Sequence, residues 1–304
     1  MTAVSRVLLL CVPLILFAGA GALYTPLFDQ FDDDGDIALS SLPELPSWAA
    51  APLPDFSTIR DTTERKAAFF SFLYPRIVLA NSRILIEHHY LETLRTKSEL
   101  SEAERQWLAA HAARLRIDEP NGSEAQFALL EKRIGVIPPS LILAQAANES
   151  AWGTSRFATK GNNLFGQWCF SKGCGLVPLS RVTGASHEVA RFGSPYGSIR
   201  AYITNLNRHP TYQRVRDVRH QALQNDTPLS GVAMAGGLLG YSERGEDYVK
   251  EIRAMIRYNN LEFYDKQFQA LIADQAPEHL LALATAPNAE SLLPGNSGTA
   301  SPEQ

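Results

Sequence analysis

The sequence predicts a mostly α (α+β) fold, a helical domain carrying a small β-hairpin lobe. Three observations carry that expectation. Apolar residues recur at three- and four-residue spacing from Phe69 to Leu94. Pro138-Pro139-Ser140 opens, and Gly153 closes, the helix-length segment LILAQAANESAW. HEVARF, which follows two closely spaced cysteines, alternates with period two instead. With 304 residues, 45% apolar and 20% charged, the chain is long enough for one large core or two smaller ones.

Residues 1–24 hold one charge, Arg6, followed by the apolar run VLLLCVPLILFAGAGALY. The small residues from Ala18 to Ala22 offer cleavage positions, and the run is also long enough for a short membrane span. The segment therefore reads as a signal peptide or a membrane anchor. Either alternative exports the body. Cys11 follows three leucines, not the small residue that precedes a lipidated cysteine. Residues 25–60, with five prolines among Asp, Ser and Ala, read as a linker. Its DDDGD stretch fails the calcium-loop register: with Gly35 sixth, the twelfth residue is Ser41 and not the bidentate Glu such a loop requires.

Charge excludes one class of partner. The segment from Tyr24 to Ile59 holds seven acids and no Lys or Arg, which leaves 27 basic and 25 acidic side chains to residues 60–304. So even a balance argues against a dedicated nucleic-acid binder.

Residues 61–124 form a helical extension. Pro75 is expected to break or start one of its helices, and Ser101 with Glu104 matches a capping box opening another. His88, His89 and His111 lack the spacing of a metal site, and no phosphate loop or Gly-x-Ser-x-Gly elbow occurs. No metal and no cofactor is expected.

The chemistry concentrates after Ser140, which is placed to cap the following amides. Glu149 is the one acid in LILAQAANESAW, with Gln145 one turn before it and Trp152 one turn after on the same face. Partial burial among Ala and Trp, and the negative end of the helix dipole, both favour the protonated carboxyl. A proton donor of this kind is what glycosidic cleavage needs at the leaving oxygen. A lone helical Glu is ordinarily a solvated residue, so its company decides. ESAWGTSRFATKGNNLFGQW interleaves Trp152, Phe157, Phe165 and Trp168 with Asn162 and Asn163, a composition suited to lining a concave, sparsely polar site.

AQAANESAWGTSRFATKGNNLFG resembles the signature of glycoside hydrolase family 73, the bacterial N-acetylglucosaminidases of peptidoglycan. RFGSPYGSIRAYITNLN and GLLGYSERGEDYVKEIRAMI agree with that family in order and spacing. RKAAFF and CFSKGCG are similar to its Bax-like branch of periplasmic glucosaminidases. The resemblance covers residues 125–265, the expected catalytic domain, and implies a lysozyme-like helical architecture. It implies a peptidoglycan hydrolase that cleaves the β-1,4 bond between N-acetylglucosamine and N-acetylmuramic acid in the periplasm or cell envelope. The expected partners are peptidoglycan glycan strands, with inner-membrane association through the N-terminal segment and a monomeric state.

By the same resemblance Glu149 is the catalytic acid and Tyr241 the active-site tyrosine. Asn162, Asn163 and Phe165 match the segment beside the acid, Asn163 as a positioning residue and Phe165 as partly structural; with Gln145, Trp152 and Tyr202 they make up the expected substrate-binding set, and Tyr248 is assigned to helix packing. Where better-known members place a second Glu on a hairpin, LSRVTGAS has no acid. Glu188 is nearest, and alternation puts Glu188, Ala190 and Phe192 on one side. It is either a general base or a structural partner of an Arg. Without a second carboxylate, the substrate's own acetamido oxygen is the alternative nucleophile. A lytic transglycosylase and a non-catalytic wall-binding scaffold are the competing functions.

Cys169 and Cys174, the two cysteines outside the leader of an exported chain, are expected to form a disulfide. Arg208, Arg214, Arg216 and Arg219 read as a solvated helix face or as a contact for wall-peptide carboxylates. Residues 266–304 are expected to form a C-terminal helix, with a disordered tail from Ala286.

Overall fold

A computed structural model describes residues 42–295, except 180, 182, 183 and 185. The leader, the acidic part of the linker and the last nine residues lie outside the described residues.

The first helix, α1, spans Thr62–Arg95 and starts on the Asp61 carboxylate, which accepts from the Glu64 amide at 2.9 Å. It runs straight through Pro75, contrary to the expected break. A proline in a helix interior costs about 3 kcal/mol, and α1 offsets that by packing. Leu73, Tyr74, Ile77, Val78 and Leu79 are buried around the ring, and Arg76 Nη1 donates to the Phe72 carbonyl at 2.7 Å.

Next come α2 (Glu102–Leu115) and α3 (Glu124–Arg133). The Ser101–Glu104 capping box is present in both directions. These helices and the end of α1 enclose a satellite core around Leu91, Leu94, Trp107, Leu108 and Leu130. It is tied to the body by Glu87, fully enclosed, which accepts from Arg114 at 2.6 Å beside His111. Burial works against that carboxylate's charge, yet Arg114 and His111 outweigh it and hold its pKa far below the ordinary value.

Helix α4 (Pro139–Ser150) is apolar on every face and is buried from Pro139 to Ala147. Its N-terminus is not capped by Ser140, as the sequence suggested. Ser140 lies inside the helix, and the cap comes from Asp265, whose carboxylate accepts from the Ser140 amide at 2.8 Å and its hydroxyl at 2.6 Å. A short α5 (Arg156–Gly161) follows, then three strands: β1 (Trp168–Cys169), β2 (Gly175–Leu176) and β3 (Glu188–Ala190). The sheet is antiparallel with order β1-β3-β2, so the expected hairpin is a three-stranded sheet whose central strand is last in sequence.

Helices α6 (Pro195–Arg208), α7 (Gln213–Gln224), α8 (Gly231–Met234), α9 (Glu246–Tyr258), α10 (Glu262–Leu271) and α11 (Pro277–Ala284) complete the chain. Helix α4 packs against α1, α8, α9 and α10, and so forms the centre of the main core.

Two expected unstructured segments are packed instead. In the Pro-rich stretch, Ala49 and Phe56 join the main core, and beyond α11 so do Ala286 and Leu292. The two segments meet where Trp48 Nε1 donates to the Ala286 carbonyl at 2.7 Å. Isolated aromatics in a proline-rich stretch have no period to announce them, but they bury as well as those on a helix. The arginine-rich helix α7 is likewise not simply a solvated face. Arg216 and Arg219 are buried, and Arg219 donates to the carbonyls of Lys132, Gly135 and Val136.

Candidate active site

Glu149 ends α4, where the helix emerges half-buried from the core. The chain then turns left-handed for three residues: Ala151 (φ 50°), Trp152 (φ 58°) and Gly153 (φ 76°). Each non-glycine residue in that region costs about 1–2 kcal/mol. Ser150 and Gly153 make the turn possible. Ser150 Oγ donates to the Ala146 carbonyl at 2.6 Å and accepts from the Gly153 amide at 2.7 Å. A Cβ on Gly153 would come within 2.7 Å of the Phe56 ring.

The turn takes Trp152 off the helix, so it does not share the face of Glu149. Its indole packs edge-on against Phe69 and Phe70 of α1, with centroids 5.8 and 5.4 Å apart.

A hydrogen-bonded relay ends at the Glu149 carboxylate. The Tyr202 hydroxyl donates to Gln145 Oε1, Gln145 Nε2 donates to the Tyr248 hydroxyl at 2.8 Å, and Tyr248 donates to Glu149 Oε1 at 2.7 Å. Gln145 is fully buried and fixes the direction of the relay. Its oxygen is taken by Tyr202, so its amide nitrogen must face Tyr248, leaving Tyr248's proton for Glu149. Burial, then the adjacent Glu149 carboxylate, raises the Tyr248 hydroxyl far above its ordinary pKa, so it remains a donor. Tyr248 is therefore more than helix packing. The signal was present in the sequence: a phenol in the buried stripe with Val249, Ile252 and Ile256 must find a partner for its hydroxyl.

Tyr241 stacks on Tyr248, with centroids 5.3 Å apart and planes 6° from parallel. Its hydroxyl donates to the Phe165 carbonyl at 2.9 Å, and Phe165 in turn stacks on Tyr202 at 4.1 Å. This bracing sets Gly166, in the left-handed region at φ 65°, beside the acid. A Cβ built there would lie 3.8 Å from Glu149 Oε2. Tyr212, which sequence reasoning did not single out, extends the aromatic wall 6.1 Å from Tyr241, and burial raises its pKa to about 12.

Asn162 and Asn163 spend their amide groups on the protein backbone. Asn162 takes the left-handed position ending α5 and donates to the Phe192 carbonyl at 3.0 Å. Asn163 Nδ2 donates to the carbonyls of Gln167 and Ala190, both at 2.9 Å, while its Oδ1 accepts from the amides of Phe165 and Gln167. Of the expected substrate contacts, Gln145, Asn163, Phe165 and Tyr202 are buried. They shape the site from behind.

Alternation holds for β3. Ala190 and Phe192 face Cys169 and Ala201 in a small cluster, and Glu188 pairs with Cys169 across the strands. Both Glu188 oxygens are occupied, accepting from the amides of Gly173 at 3.0 Å and Gly175 at 2.8 Å. Those bonds draw its pKa below the ordinary value. Cys169 and Cys174 are joined by a disulfide with Cα atoms 6.2 Å apart, as expected. The two sulfurs and Glu188 cluster tightly enough to suggest metal ligands. Yet the sulfurs are spent on each other and the oxygens on backbone amides.

The Glucosaminidase family, described as mannosyl-glycoprotein endo-beta-N-acetylglucosaminidase, matches residues 124–261. Protein bax of Escherichia coli (strain K12) is 35% identical over 214 residues, covering 70% of this chain and 76% of that protein. The chain belongs to the glucosaminidase family, in its Bax-like branch. No solved structure matches it. The glucosaminidase match begins at α3, so it takes in the whole relay from Gln145 to Tyr248 and leaves α1 outside. Yet α1 shares the main core of this glucosaminidase domain and packs on α4.

Proposed function

We propose that this chain is a peptidoglycan hydrolase, an endo-β-N-acetylglucosaminidase that cleaves the β-1,4 bond between N-acetylglucosamine and N-acetylmuramic acid, with Glu149 as general acid. The observation that carries this reading is the Tyr248-to-Glu149 hydrogen bond of 2.7 Å. Because Tyr248 donates to Oε1, the acidic proton is assigned to Oε2, the oxygen beside the exposed Gly166. There it can reach a glycosidic oxygen, and the bare glycine lets a sugar approach closely.

Tyr241 holds the Phe165–Gly166 backbone in place for that approach. Glu188 clamps the disulfide loop, since a carboxylate accepting two amides is a poor base. This favours attack on the anomeric carbon by the substrate's own acetamido oxygen, with water opening the product. Export through residues 1–24, to the periplasm or cell envelope, would bring the enzyme to this substrate.

The occupied Glu188 also favours a second reading. A lytic transglycosylase needs only one carboxyl and leaves a 1,6-anhydro end.

Digestion of purified sacculi followed by mass spectrometry tests both readings. New reducing N-acetylglucosamine ends support the proposal, and anhydro ends support the transglycosylase. Glu149→Gln is expected to abolish release while remaining folded. Full release by that variant, or binding without release by the wild type, overturns it.

A further inference from the structure

A cavity of about 340 Å³ opens at the far end of α4 from Glu149, about 18 Å away at the helical rise of 1.5 Å per residue. The relay does not use it. Buried Val136, Pro139 and Phe268 line it together with half-buried Leu229 and Ile272. Its size and mainly apolar lining are those of a small-molecule site.

Two acids line this cavity, and no Lys, Arg or His does. Asp226 is exposed, whereas Asp265 is only 5% exposed. Asp265 accepts from the amide and hydroxyl of Ser140 and from the Gly231 amide at 3.2 Å. These donors are all neutral, and no cation pairs with Asp265 among the described residues. Burial raises its pKa to about 6, so at neutral pH it carries a charge that the protein does not balance. Such a carboxylate is costly until a cation reaches it, and three donors leave one of its roughly four lone-pair positions open. Glu262 of α10, Tyr74 of α1 and Asp226 across the cavity are the ionisable groups that bear on it, and none of them can become positive. Lys266, next in sequence, is exposed and lies outside the lining.

We propose that this cavity binds an organic amine, its ammonium paired with Asp265 and its apolar body packed on Phe268, Leu229 and Ile272. Charge and lining agree on that class. An anion would meet two carboxylates, and an uncharged apolar molecule would leave Asp265 unbalanced. Occupation also bears on the helix that ends at Glu149, because Asp265 caps α4 and the ammonium stabilises the ionised cap. The inference does not depend on the assignment of Glu149 to glycan cleavage.

The probe is 4-phenylbutylamine, set against 4-phenylbutanol, which has the same shape without the charge. Each is titrated into the full chain and followed through the amide resonances of Leu229 and Ile272. Near neutral pH the amine is expected to bind with a Kd of about 1 mM, ordinary for a molecule of this size, and the alcohol about tenfold more weakly for want of the charge-assisted bond. Lowering the pH to about 5, one unit below the folded pKa, protonates Asp265 and is expected to weaken the amine about tenfold while leaving the alcohol unchanged. Asp265→Asn is expected to lose the preference for the amine. Ala273→Trp, which fills the cavity from an exposed lining position, is expected to weaken both probes about tenfold and to keep the parent's circular dichroism and activity on sacculi.

Equal binding of the two probes, an amine affinity that ignores pH, or no saturable binding by about 10 mM overturns the site. So does a folded Asp265→Asn that still prefers the amine, or parent-like binding by Ala273→Trp. The pH comparison uses the unaltered protein and decides the matter even where a variant fails to fold.

Discussion

The Tyr248 hydroxyl donates to Glu149 Oε1 across 99 residues of chain, at 2.7 Å, and itself accepts from Gln145 on the same helix as Glu149. One phenol thus bridges the start of α9 and the end of α4. It ties Oε1 of that carboxylate to the protein and leaves Oε2 beside Gly166. Removing the hydroxyl leaves the ring stack with Tyr241 in place but lets the carboxyl rotate. Tyr248→Phe is expected to lower kcat on sacculi about 10–100-fold with little change in KM, as for a lost positioning hydrogen bond. Steady-state kinetics on solubilised glycan strands checks this, and an equal rise in KM with kcat preserved would contradict it.

Gly153 answers two demands at once, a φ of 76° and the space beneath the Phe56 ring. Gly153→Ala meets both the backbone penalty and a collision. A loss of about 2–4 kcal/mol in unfolding free energy is expected, measurable by denaturant titration. Glu149 would be displaced with it, so activity falls further than stability alone explains. A variant as stable as wild type would remove the steric account of this turn.

Glu188 separates a structural role from a catalytic one. Its pKa is lowered by the amides of Gly173 and Gly175, so its contribution to the loop is present above the ordinary glutamate value of 4.5 and is lost as pH falls through the lower folded value. The amide resonances of Gly173 and Gly175 are expected to titrate below pH 4.5 and to stop doing so in Glu188→Gln. That variant should cost less activity than the roughly 10²–10⁴-fold brought by loss of a general base. A fall of that size would return Glu188 to the chemistry.

Asp265 behaves in the opposite sense. Burial raises its carboxyl from 3.8 to about 6, against the bonds from Ser140 and Gly231 that pull it down. The folded state therefore holds a proton that the unfolded chain has released, and stability falls as pH rises from 3.8 to about 6. The full effect is about 3 kcal/mol at most, from two pH units at 1.36 kcal/mol each. Melting temperature measured across that range should show the decline, and Asp265→Asn should flatten it. A decline unchanged in the variant would assign it to another group.

Sequence alone determined much of this protein. It fixed the helical class through apolar spacing, the Ser101–Glu104 cap through neighbouring residues, the side of β3 on which Glu188 lies through alternation, and the disulfide through cysteine count, and it singled out Glu149 as the candidate acid through its isolation on an apolar helix. Each of these depends on residues close in the chain or on composition.

Tertiary structure decided the rest. Asp265 displaced Ser140 as the cap of α4, Trp152 left the helix on a left-handed turn, and Tyr248 became the partner of Glu149. Asn162 and Asn163 found backbone carbonyls in distant loops, and Phe165 stacked on Tyr202. These outcomes share one physical reason. A buried polar group must be satisfied, and the partner that satisfies it is chosen by packing between segments distant in sequence, which no local pattern records.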